Sequence, residues 1–437
     1  LSLAAGGFLL VGLCLLVNGQ SLTARASAGE LFVTPAGVGT CGQSDPCDLL
    51  SALTLVSDGM EVYMAQGTYT GTGSEVMAVT DSIFVYGGWD GAASSSVVRD
   101  PDIYISIIDG EGQRRGVVVG SGLTVTLEGL TVLNGGGTSQ GAGLYARDAT
   151  LTLHAMTFLS NVVDVQAIPG SHAYGGGAFV EGGTLHVEAT TFQGNSVWAS
   201  TTSWGGGLLI SHTLAATVTG SLFTENDAWH GSGLYFVGAG ASPLLLSDSS
   251  FVANGWGTSS GVAFCAYAGA LKLTNAQARV VGNTFRDNHA GQDQGAVSVS
   301  DSSLLLDGNV ITGNQSRDTA ALYLAAVSPL TVTNNIIAGN QSTLVLGQAP
   351  AVRVRVGTSG RFLHNTIAHN DSYSGLFLQS GANIALTNTI LVSHTVGISV
   401  ASGSTAALEG TLWGSGDWAN TTDWGGGGTI TTGTVNI

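Results

Sequence analysis

The densest group of side chains that could do chemistry lies in the segment Arg286-Asp287-Asn288-His289. Asp293 follows closely, and Arg317 and Asp318 stand further along the chain. Together these residues would offer an acid, a base and a cationic clamp for a substrate. Charged residues of mixed sign are also the ordinary surface of a loop. Both interpretations stay open, and we favour the solvated turn.

Tryptophans form a second group with a chemical use. Trp198, Trp229 and Trp256 each follow an asparagine by two or three residues, and Trp204 precedes a run of glycines. Aromatic rings in a row can contact sugar rings, because they are apolar and carry a polar handle. They could equally pack on one another and shield loops. We predict a carbohydrate-binding or surface-binding role for these four residues.

An internal repeat must position both groups. The motif Phe-x-x-Asn occurs five times, then three times with Ile in place of Phe, at intervals of 26 to 34 residues. The copies are 158–161, 192–195, 223–226, 251–254, 285–288, 311–314, 337–340 and 367–370, with 390–393 as a decayed last copy. Self-similarity at this period is typical of a solenoid, in which each unit buries its apolar face against the next.

The repeats carry the alternation of β-strands. Five positions before each Phe or Ile, every copy has an apolar residue between two tolerant positions, which is strand rather than helix periodicity. Further upstream, many copies have a second short strand opened by glycines, as at 175–180, 205–210 and 231–236. Stacking such units in register predicts a parallel β-helix with two or three short strands in each coil.

Two columns of polar residues flank the anchor strand. The motif contributes Asn195, Asn226, Asn254, Asn288, Asn314, Asn340 and Asn370, and two positions before the anchors stand Asn283, Asn309, Asn335, Asn365 and Asn388. Asparagine suits tight bends, and stacked amides can hydrogen-bond along the axis. We therefore predict two structural asparagine ladders. The alternative is a row of sugar-binding amides.

Composition excludes several classes of function. The chain has 437 residues, 66 glycines, 9% charged residues and a net charge of −17 with only 12 Lys plus Arg. It has no basic stripe that could neutralise phosphates, so we expect no nucleic-acid partner. The cysteines show no zinc spacing, and we expect neither a structural metal nor a cofactor.

The N-terminal segment has the pattern of an export signal. Residues 1–17 are uncharged and largely apolar, and Ala26-Ser27-Ala28 fits a cleavage site. The apolar run is shorter than a membrane-spanning helix needs, so we expect no transmembrane span in the mature chain. Cys41 and Cys47 stand in a short turn-rich loop and could form a disulfide, which agrees with export. Cys265 is interpreted as a buried small hydrophobic residue.

The glycine strands alternating with Phe-x-x-Asn resemble the repeats of polymorphic outer-membrane proteins and, more widely, of extracellular right-handed parallel β-helix proteins of pectate-lyase-like shape. The resemblance covers roughly 115–415. Residues 41–71 are similar to the entry segment of such proteins, in which a short amphipathic helix caps the open end of the core. The resemblance implies an all-β, right-handed, single-stranded parallel β-helix with a short N-terminal capping helix.

The corresponding boundaries are a signal peptide at 1–28, a cap and first coils at 29–110, the parallel β-helix at 111–415 and an irregular Gly- and Trp-rich end at 416–437. We expect sequence to be missing at both ends.

Family members include adhesive surface proteins and polysaccharide-cleaving enzymes, so the fold does not choose between these functions. A glycoside hydrolase needs two carboxylates about 5 to 9.5 Å apart. Glu225 and Asp287 share a column but lie two coils apart, about 10 Å along the axis. We therefore predict a secreted or cell-surface structural or adhesive protein that binds carbohydrate or another surface without catalysis. The alternative is a polysaccharide lyase or glycoside hydrolase.

Overall fold

Three sheets run along the molecule and enclose one hydrophobic core. Their strands pair in parallel, except for Val38–Gly42 with Asp45–Cys47, which are antiparallel. The structure is a computed structural model that describes residues 29–93, 96–240, 242–255, 267–291, 294–343 and 349–433. The predicted signal peptide, Trp256, Cys265 and Asp293 lie outside these residues. Each coil adds one strand to each sheet in turn, as Thr124–Glu128, Leu130–Leu133 and Leu144–Arg147 do.

The strands fall into three long sheets and three short ones. The first sheet consists of Glu30–Val33, Val38–Gly42, Asp45–Cys47, Glu61–Ala65, Phe84–Trp89, Thr124–Glu128, Thr150–His154, Thr184–Glu188, Ala215–Thr219, Pro243–Ser247, Gln277–Val281, Ser303–Asp307, Leu330–Thr333, Ser359–Leu363, Asn383–Thr387, Thr405–Glu409 and Thr429–Thr432. The second sheet consists of Gly67–Tyr69, Ser106–Asp109, Leu130–Leu133, Thr157–Leu159, Thr191–Gln193, Leu222–Thr224, Ser250–Val252, Thr284–Arg286, Val310–Thr312, Ile336–Ala338, Thr366–Ala368, Ile390–Val392 and Leu412–Trp413. The third sheet consists of Glu75–Val79, Arg115–Val119, Leu144–Arg147, Ala178–Glu181, Leu208–Ser211, Leu234–Val237, Leu271–Thr274, Val297–Ser300, Leu322–Ala325, Pro350–Val354, Ser374–Leu378, Val396–Val400 and Thr422–Gly425. The short sheets are Val162–Val165 with Ser196–Ala199, His172–Tyr174 with Thr202–Trp204, and His289–Ala290 with Gln315–Ser316 and Gln341–Ser342.

One short helix covers the N-terminal end of the core, as the resemblance implied. It spans Leu49–Leu55, and the Asp48 carboxylate caps it by accepting a hydrogen bond from the Ser51 amide at 2.8 Å. Leu49 and Ala52 are its buried residues. Just before the helix, Cys41 and Cys47 form a disulfide with their Cα atoms 4.5 Å apart. A single turn of 3-10 helix, Gly416–Trp418, lies near the other end.

The anchor residues form one continuous column in the core. The rings of Phe158, Phe192, Phe223, Phe251 and Phe285 stack face to face, with neighbouring ring centroids 4.6 to 4.9 Å apart. Ile311, Ile337 and Ile367 continue the column in register. The column also extends backwards through Val132, Ile108 and Tyr69, which belong to coils that lack the motif.

Both predicted ladders are present. In the motif ladder each Oδ1 accepts two hydrogen bonds from the asparagine of the preceding coil, one from its backbone N–H and one from its Nδ2. The Oδ1 of Asn288, for example, accepts them from Asn254 at 3.0 and 2.9 Å. The Nδ2 of Asn288 also donates to the Phe251 carbonyl. The second ladder runs Thr190, Ser221, Ser249, Asn283, Asn309, Asn335 and Asn365. These side chains are buried, so they are structural and cannot form a row of exposed sugar-binding amides.

The prediction was wrong by one residue in the last copy. The strand register pairs Ile367 with Leu391 rather than Ile390, because Leu391 is the residue that faces the core. Asn388 is therefore not a ladder member. It occupies the left-handed bend before the ladder position, with φ 47°, and Thr389 takes the ladder position. His394 and Asn420 continue the motif ladder after Asn370.

Candidate aromatic groove

A groove on the outer face of the third sheet is the candidate site. Its volume is about 410 Å³. The aromatic groove, as we name it, is lined by Gln140, Tyr174, Phe179, Glu181, Trp204, Leu209, Ser211, His212, Tyr235 and Val237. Most of these side chains are apolar or aromatic, and a few polar groups stand at the rim. Such a concave, mostly apolar surface with a few polar groups is typical of a small-ligand site.

Strand alternation builds the floor of the groove. In the strands Ala178–Glu181, Leu208–Ser211 and Leu234–Val237, the first and third residues belong to the main core, whereas the second residue belongs to a separate outer cluster. Phe179, Leu209 and Tyr235 are therefore in register on consecutive strands, and they form a hydrophobic cluster separate from the main core.

A ring stack builds one wall of the groove. Tyr174 lies over Trp204 with ring centroids 4.9 Å apart and planes inclined by 14°, because their strands pair in register. His230 follows Trp204 at 6.2 Å, and Tyr267 follows His230 at 4.9 Å. The Trp204 indole is therefore half-buried among neighbouring rings.

The rim of the groove carries hydrogen-bonding groups. The Glu181 carboxylate accepts a hydrogen bond from the Tyr145 hydroxyl at 3.3 Å, and Arg147 lies 3.7 Å from it. Ser211 Oγ lies 2.6 Å from His212 Nδ1. Burial raises the pKa of the Tyr235 hydroxyl, so this group is a neutral hydrogen-bonding partner at neutral pH.

Two ionisable groups stand beside the groove. Burial, with a smaller effect of Lys272, lowers the pKa of His230 to about 3, so its imidazole is neutral at physiological pH. Burial also lowers the pKa of Lys272 to about 8. The Lys272 amine donates a hydrogen bond to Gln294 Oε1 at 2.6 Å.

The predicted tryptophans do not form one exposed row. Trp204 belongs to the ring stack, whereas Trp198 is buried and its indole N–H donates to Ser196 Oγ at 3.1 Å. Trp229 is half-buried, and its backbone N–H donates to Ser203 Oγ. Trp256 lies outside the described residues. The structure therefore places one of the four in the groove.

The candidate catalytic residues, for which the sequence analysis favoured a solvated turn, are spread over exposed turns and one ion pair. Asp287 lies at a left-handed bend with φ 55° and contacts Arg286 at 3.3 Å. His289 lies in a two-residue strand, and Arg317 is exposed. Asp318 accepts two hydrogen bonds from Arg353, so its charge is compensated. Asp293 lies outside the described residues.

A group that the sequence analysis missed lies on the outer face of the first sheet. Arg99 Nη2 donates to Glu128 Oε1 at 2.8 Å, and His154 Nδ1 lies 3.6 Å from Glu128 Oε2. Glu128 and His154 are in register on neighbouring strands. The alignment began at Phe158, one coil too late to bring Glu128 into it. Adding the Val132 coil would have placed Glu128 beside His154.

Within the described ranges no three His, Cys, Asp or Glu residues lie where they could share a metal ion. The same ranges contain no helix long and apolar enough to cross a membrane.

Comparison with known proteins bears on the fold. Residues 206–412 match the family described as right handed beta helix region. The chain is a right-handed parallel β-helix. This agrees with the handedness that the glycine strands and Phe-x-x-Asn motifs implied. No curated protein is significantly similar to the chain in sequence.

Several solved structures resemble this β-helix weakly. The periplasmic alginate epimerase AlgG is 8% identical, with 92% of this chain and 84% of that chain covered and a TM-score of 0.41. The Dettilon tailspike protein gp208 is 12% identical, with 92% and 68% covered and a TM-score of 0.41. The A-module of the Azotobacter vinelandii mannuronan C-5 epimerase AlgE4 is 13% identical, with 86% and 91% covered and a TM-score of 0.31. Similarity this low bears on neither ligand nor activity.

Proposed function

We propose that this protein is an exported, cell-surface or extracellular β-helix that binds carbohydrate through the aromatic groove without catalysis. The observation that carries the proposal is the groove itself, a concavity of about 410 Å³ with an aromatic wall, an apolar floor and a polar rim. A sugar presents apolar C–H faces and many hydroxyl groups. The apolar and aromatic lining suits the first, and Gln140, Glu181 and Ser211 suit the second.

The lining supports binding rather than cleavage. Hydrolysis of a glycosidic bond ordinarily uses two carboxyl groups on either side of the bond. Among the lining residues that the structure describes, Glu181 alone carries a carboxyl group. His212 Nδ1 is already engaged with Ser211. The groove therefore lacks the pair of acids that hydrolysis needs.

Export is supported by two features of the N-terminal region. Residues 1–28 have the pattern of a signal peptide. The Cys41–Cys47 disulfide is typical of proteins that fold in an oxidising compartment.

The test separates retention from cleavage. The purified protein is applied to a panel of immobilised glycans, and released products are scored separately. Trp204→Ala removes the wall of the groove and is expected to abolish retention. The matched control is Trp418→Ala, which removes an exposed tryptophan whose ring packs against His369. Because Trp204→Ala could disturb the outer strands, His212→Ala provides a second variant at the exposed rim. Retention that survives both groove variants would contradict the proposal.

A second candidate function is a polysaccharide lyase or glycoside hydrolase. The observation that favours it is the group of Arg99, Glu128 and His154 on the first sheet. A carboxylate 3.6 Å from an imidazole and 2.8 Å from a guanidinium could orient a general base beside a cationic group. The same contacts are also those of an ordinary surface ion pair.

Turnover decides this candidate. The same glycan panel is assayed for new reducing ends, which hydrolysis produces, and for the ultraviolet absorbance of an unsaturated product, which a lyase produces. Turnover lost in His154→Asn and Glu128→Gln would establish the enzyme. The matched controls are His186→Asn and Glu188→Gln, because these residues form a similar pair 3.5 Å apart on the same sheet. Absence of turnover in the unmodified protein would exclude it on these substrates.

A further inference from the structure

The length of the aromatic groove and the charged residues around it restrict the class of ligand that it can bind. We infer that it takes an uncharged glycan of several sugar units, lying along the axis of the solenoid. This inference rests on the proposed function, because it concerns the same groove.

The groove runs along the axis rather than around it. Gln140 forms a parallel bridge with Tyr174, and Tyr174 pairs with Trp204 on the next strand. On the floor, Phe179, Leu209 and Tyr235 succeed one another in register. The lining therefore comes from four successive coils, which span about 14 Å at the usual strand spacing. A single sugar ring would fill only part of this length.

The charges around the groove disfavour a polyanion. None of its lining residues is Lys or Arg, and Glu181 places a carboxylate at the rim. Arg147 and Arg115 are cations near the groove. Arg147 lies 3.7 Å from Glu181 and 3.6 Å from Asp148, so two carboxylates compensate its charge. Arg115 donates hydrogen bonds to the backbone carbonyls of Gln140 and Gly141 and to Thr138 Oγ1, so its guanidinium is engaged within the protein. Lys272 is turned to Gln294. Binding of a carboxylated or sulfated sugar normally relies on Arg forks or Lys, which this lining does not supply.

The net charge of the whole chain also disfavours a polyanionic ligand. The net charge is −17, so an approaching polyanion meets repulsion before it reaches the groove. An uncharged glycan meets none. The inferred ligand is therefore recognised by apolar contact and hydroxyl hydrogen bonds, and its affinity should depend little on salt concentration.

The experiment measures affinity against length and charge. Tryptophan fluorescence and calorimetric titration are carried out with uncharged gluco-, manno-, xylo- and chito-oligosaccharides of increasing length. Oligogalacturonate and oligomers of alginate serve as polyanions of matched length. We expect affinity for one uncharged series to rise with length and to level off near the length that about 14 Å holds. We expect it to exceed the affinity for every polyanion by about tenfold or more at low salt.

Variants make the outcome specific to the groove. Glu181→Gln removes the carboxylate at the rim, so it should raise the affinity for the polyanions at low salt. Trp204→Ala should abolish binding of the uncharged series, and Trp418→Ala should not. Tighter binding of a polyanion that is lost in Trp204→Ala would overturn the inference and leave the proposed function standing. Absence of binding to any glycan would overturn both.

Discussion

The coils from Asn161 to Asn288, called the early coils below, differ in length from the coils that follow them but not in core geometry. From Asn161 to Asn288 the hydrogen-bonded amides of neighbouring coils are separated by 34, 31, 28 and 34 residues. From Asn288 to Asn340 the separation is 26 residues at both steps. The Nδ2–Oδ1 distance is nevertheless 2.9 Å at Asn161 and 2.9 Å at Asn314. Coil length therefore varies without any change in the ladder.

The additional residues of the two coils that follow Asn161 and Asn195 form an outer layer. Val162–Val165, His172–Tyr174, Ser196–Ala199 and Thr202–Trp204 pair with one another outside the three main sheets. They place Tyr174 and Trp204 over the floor of the aromatic groove. The repeated positions therefore fix the core, whereas the insertions build one wall of the aromatic groove, which is the proposed binding surface. Four perturbations break or sharpen this comparison.

The largest effect is expected from Asn288→Ala in the ladder. The Asn288 side chain accepts from the N–H and Nδ2 of Asn254 and donates to Phe251 O and Asn314 Oδ1. Its removal leaves several buried groups without partners, at about 1 to 3 kcal/mol each, so we expect a loss of about 4 kcal/mol of unfolding free energy. Urea unfolding measures it. The exposed Asn383→Ala is the matched control, and a loss no larger than that of the control would contradict a structural ladder.

The next effect concerns His394, which stands where the ladder elsewhere has asparagine. Its buried ring contacts Asn370 Nδ2 at 3.3 Å, and burial is the main cause that lowers its pKa to about 4. The unfolded chain binds this proton near its ordinary pKa of 6.5, so stability is lost as the pH falls from about 6.5 to 4. The full loss is about 3 kcal/mol.

The variant His394→Asn restores the ladder residue and removes this titration. Between pH 7.5 and pH 4 the unmodified chain should therefore lose about 3 kcal/mol more unfolding free energy than His394→Asn does. Urea unfolding across this range is the measurement. His186→Asn, in a partly exposed position, is the control. An equal loss of unfolding free energy on acidification in the unmodified chain and in His394→Asn would contradict the prediction.

A smaller effect of opposite sign is expected at Lys272, next to the groove. Burial lowers its pKa from 10.5 to about 8, so below pH 8 the folded state carries the full cost of a poorly solvated charge. The unfolded chain binds more protons between pH 8 and 10.5, so stability rises with pH across that range. Lys272→Met should therefore stabilise the protein by about 2 kcal/mol at pH 7, after allowance for the lost contact with Gln294.

Thermal unfolding at pH 7 and pH 10 checks this prediction. The advantage of Lys272→Met should shrink at the higher pH, because the amine of the unmodified chain is then neutral in the folded state. The raised pKa of Tyr235 affects both chains alike and cancels in the difference. Arg279→Met removes an exposed cation and should show no such pH dependence. A constant difference at both pH values would count against the buried charge.

The sequence predicted the core better than the site. Phe158 to Ile367 could be aligned because a bulky anchor and an asparagine recur together, and this alone gave the coil register and both ladders. The register failed at Ile390, where the ladder residues are Thr389 and His394 and the anchor has become Leu391. The earlier coils were expected within 29–157, but their anchors could not be aligned because Val132 and Ile108 are not followed by the motif.

The groove could not be predicted in the same way. Tyr174 follows its ladder asparagine by 13 residues, whereas Trp204 follows its own by only 9. Their stacking depends on how two insertions of unequal length fold. The repeat spacing does not predict the conformation of such insertions. Glu128 and His154 did carry a signal, since both directly follow an apolar strand residue at the same distance from the core anchors. Using that signal required alignment of the Val132 coil, which lacks the motif.

Trp204→Ala should cost only about half as much stability as Asn288→Ala, although it removes the largest side chain of the four. The indole is half-buried and packs on Tyr174 in the outer layer, outside the main core. We expect a loss of about 2 kcal/mol, because aromatic stacking adds only about 0.5 to 1.5 kcal/mol to a partial apolar burial. Urea unfolding beside Asn288→Ala gives the comparison directly. If Trp204→Ala cost as much as Asn288→Ala, the outer layer would be part of the cooperative core. The insertions would then stabilise the early coils and would not simply be added to the outside of the solenoid.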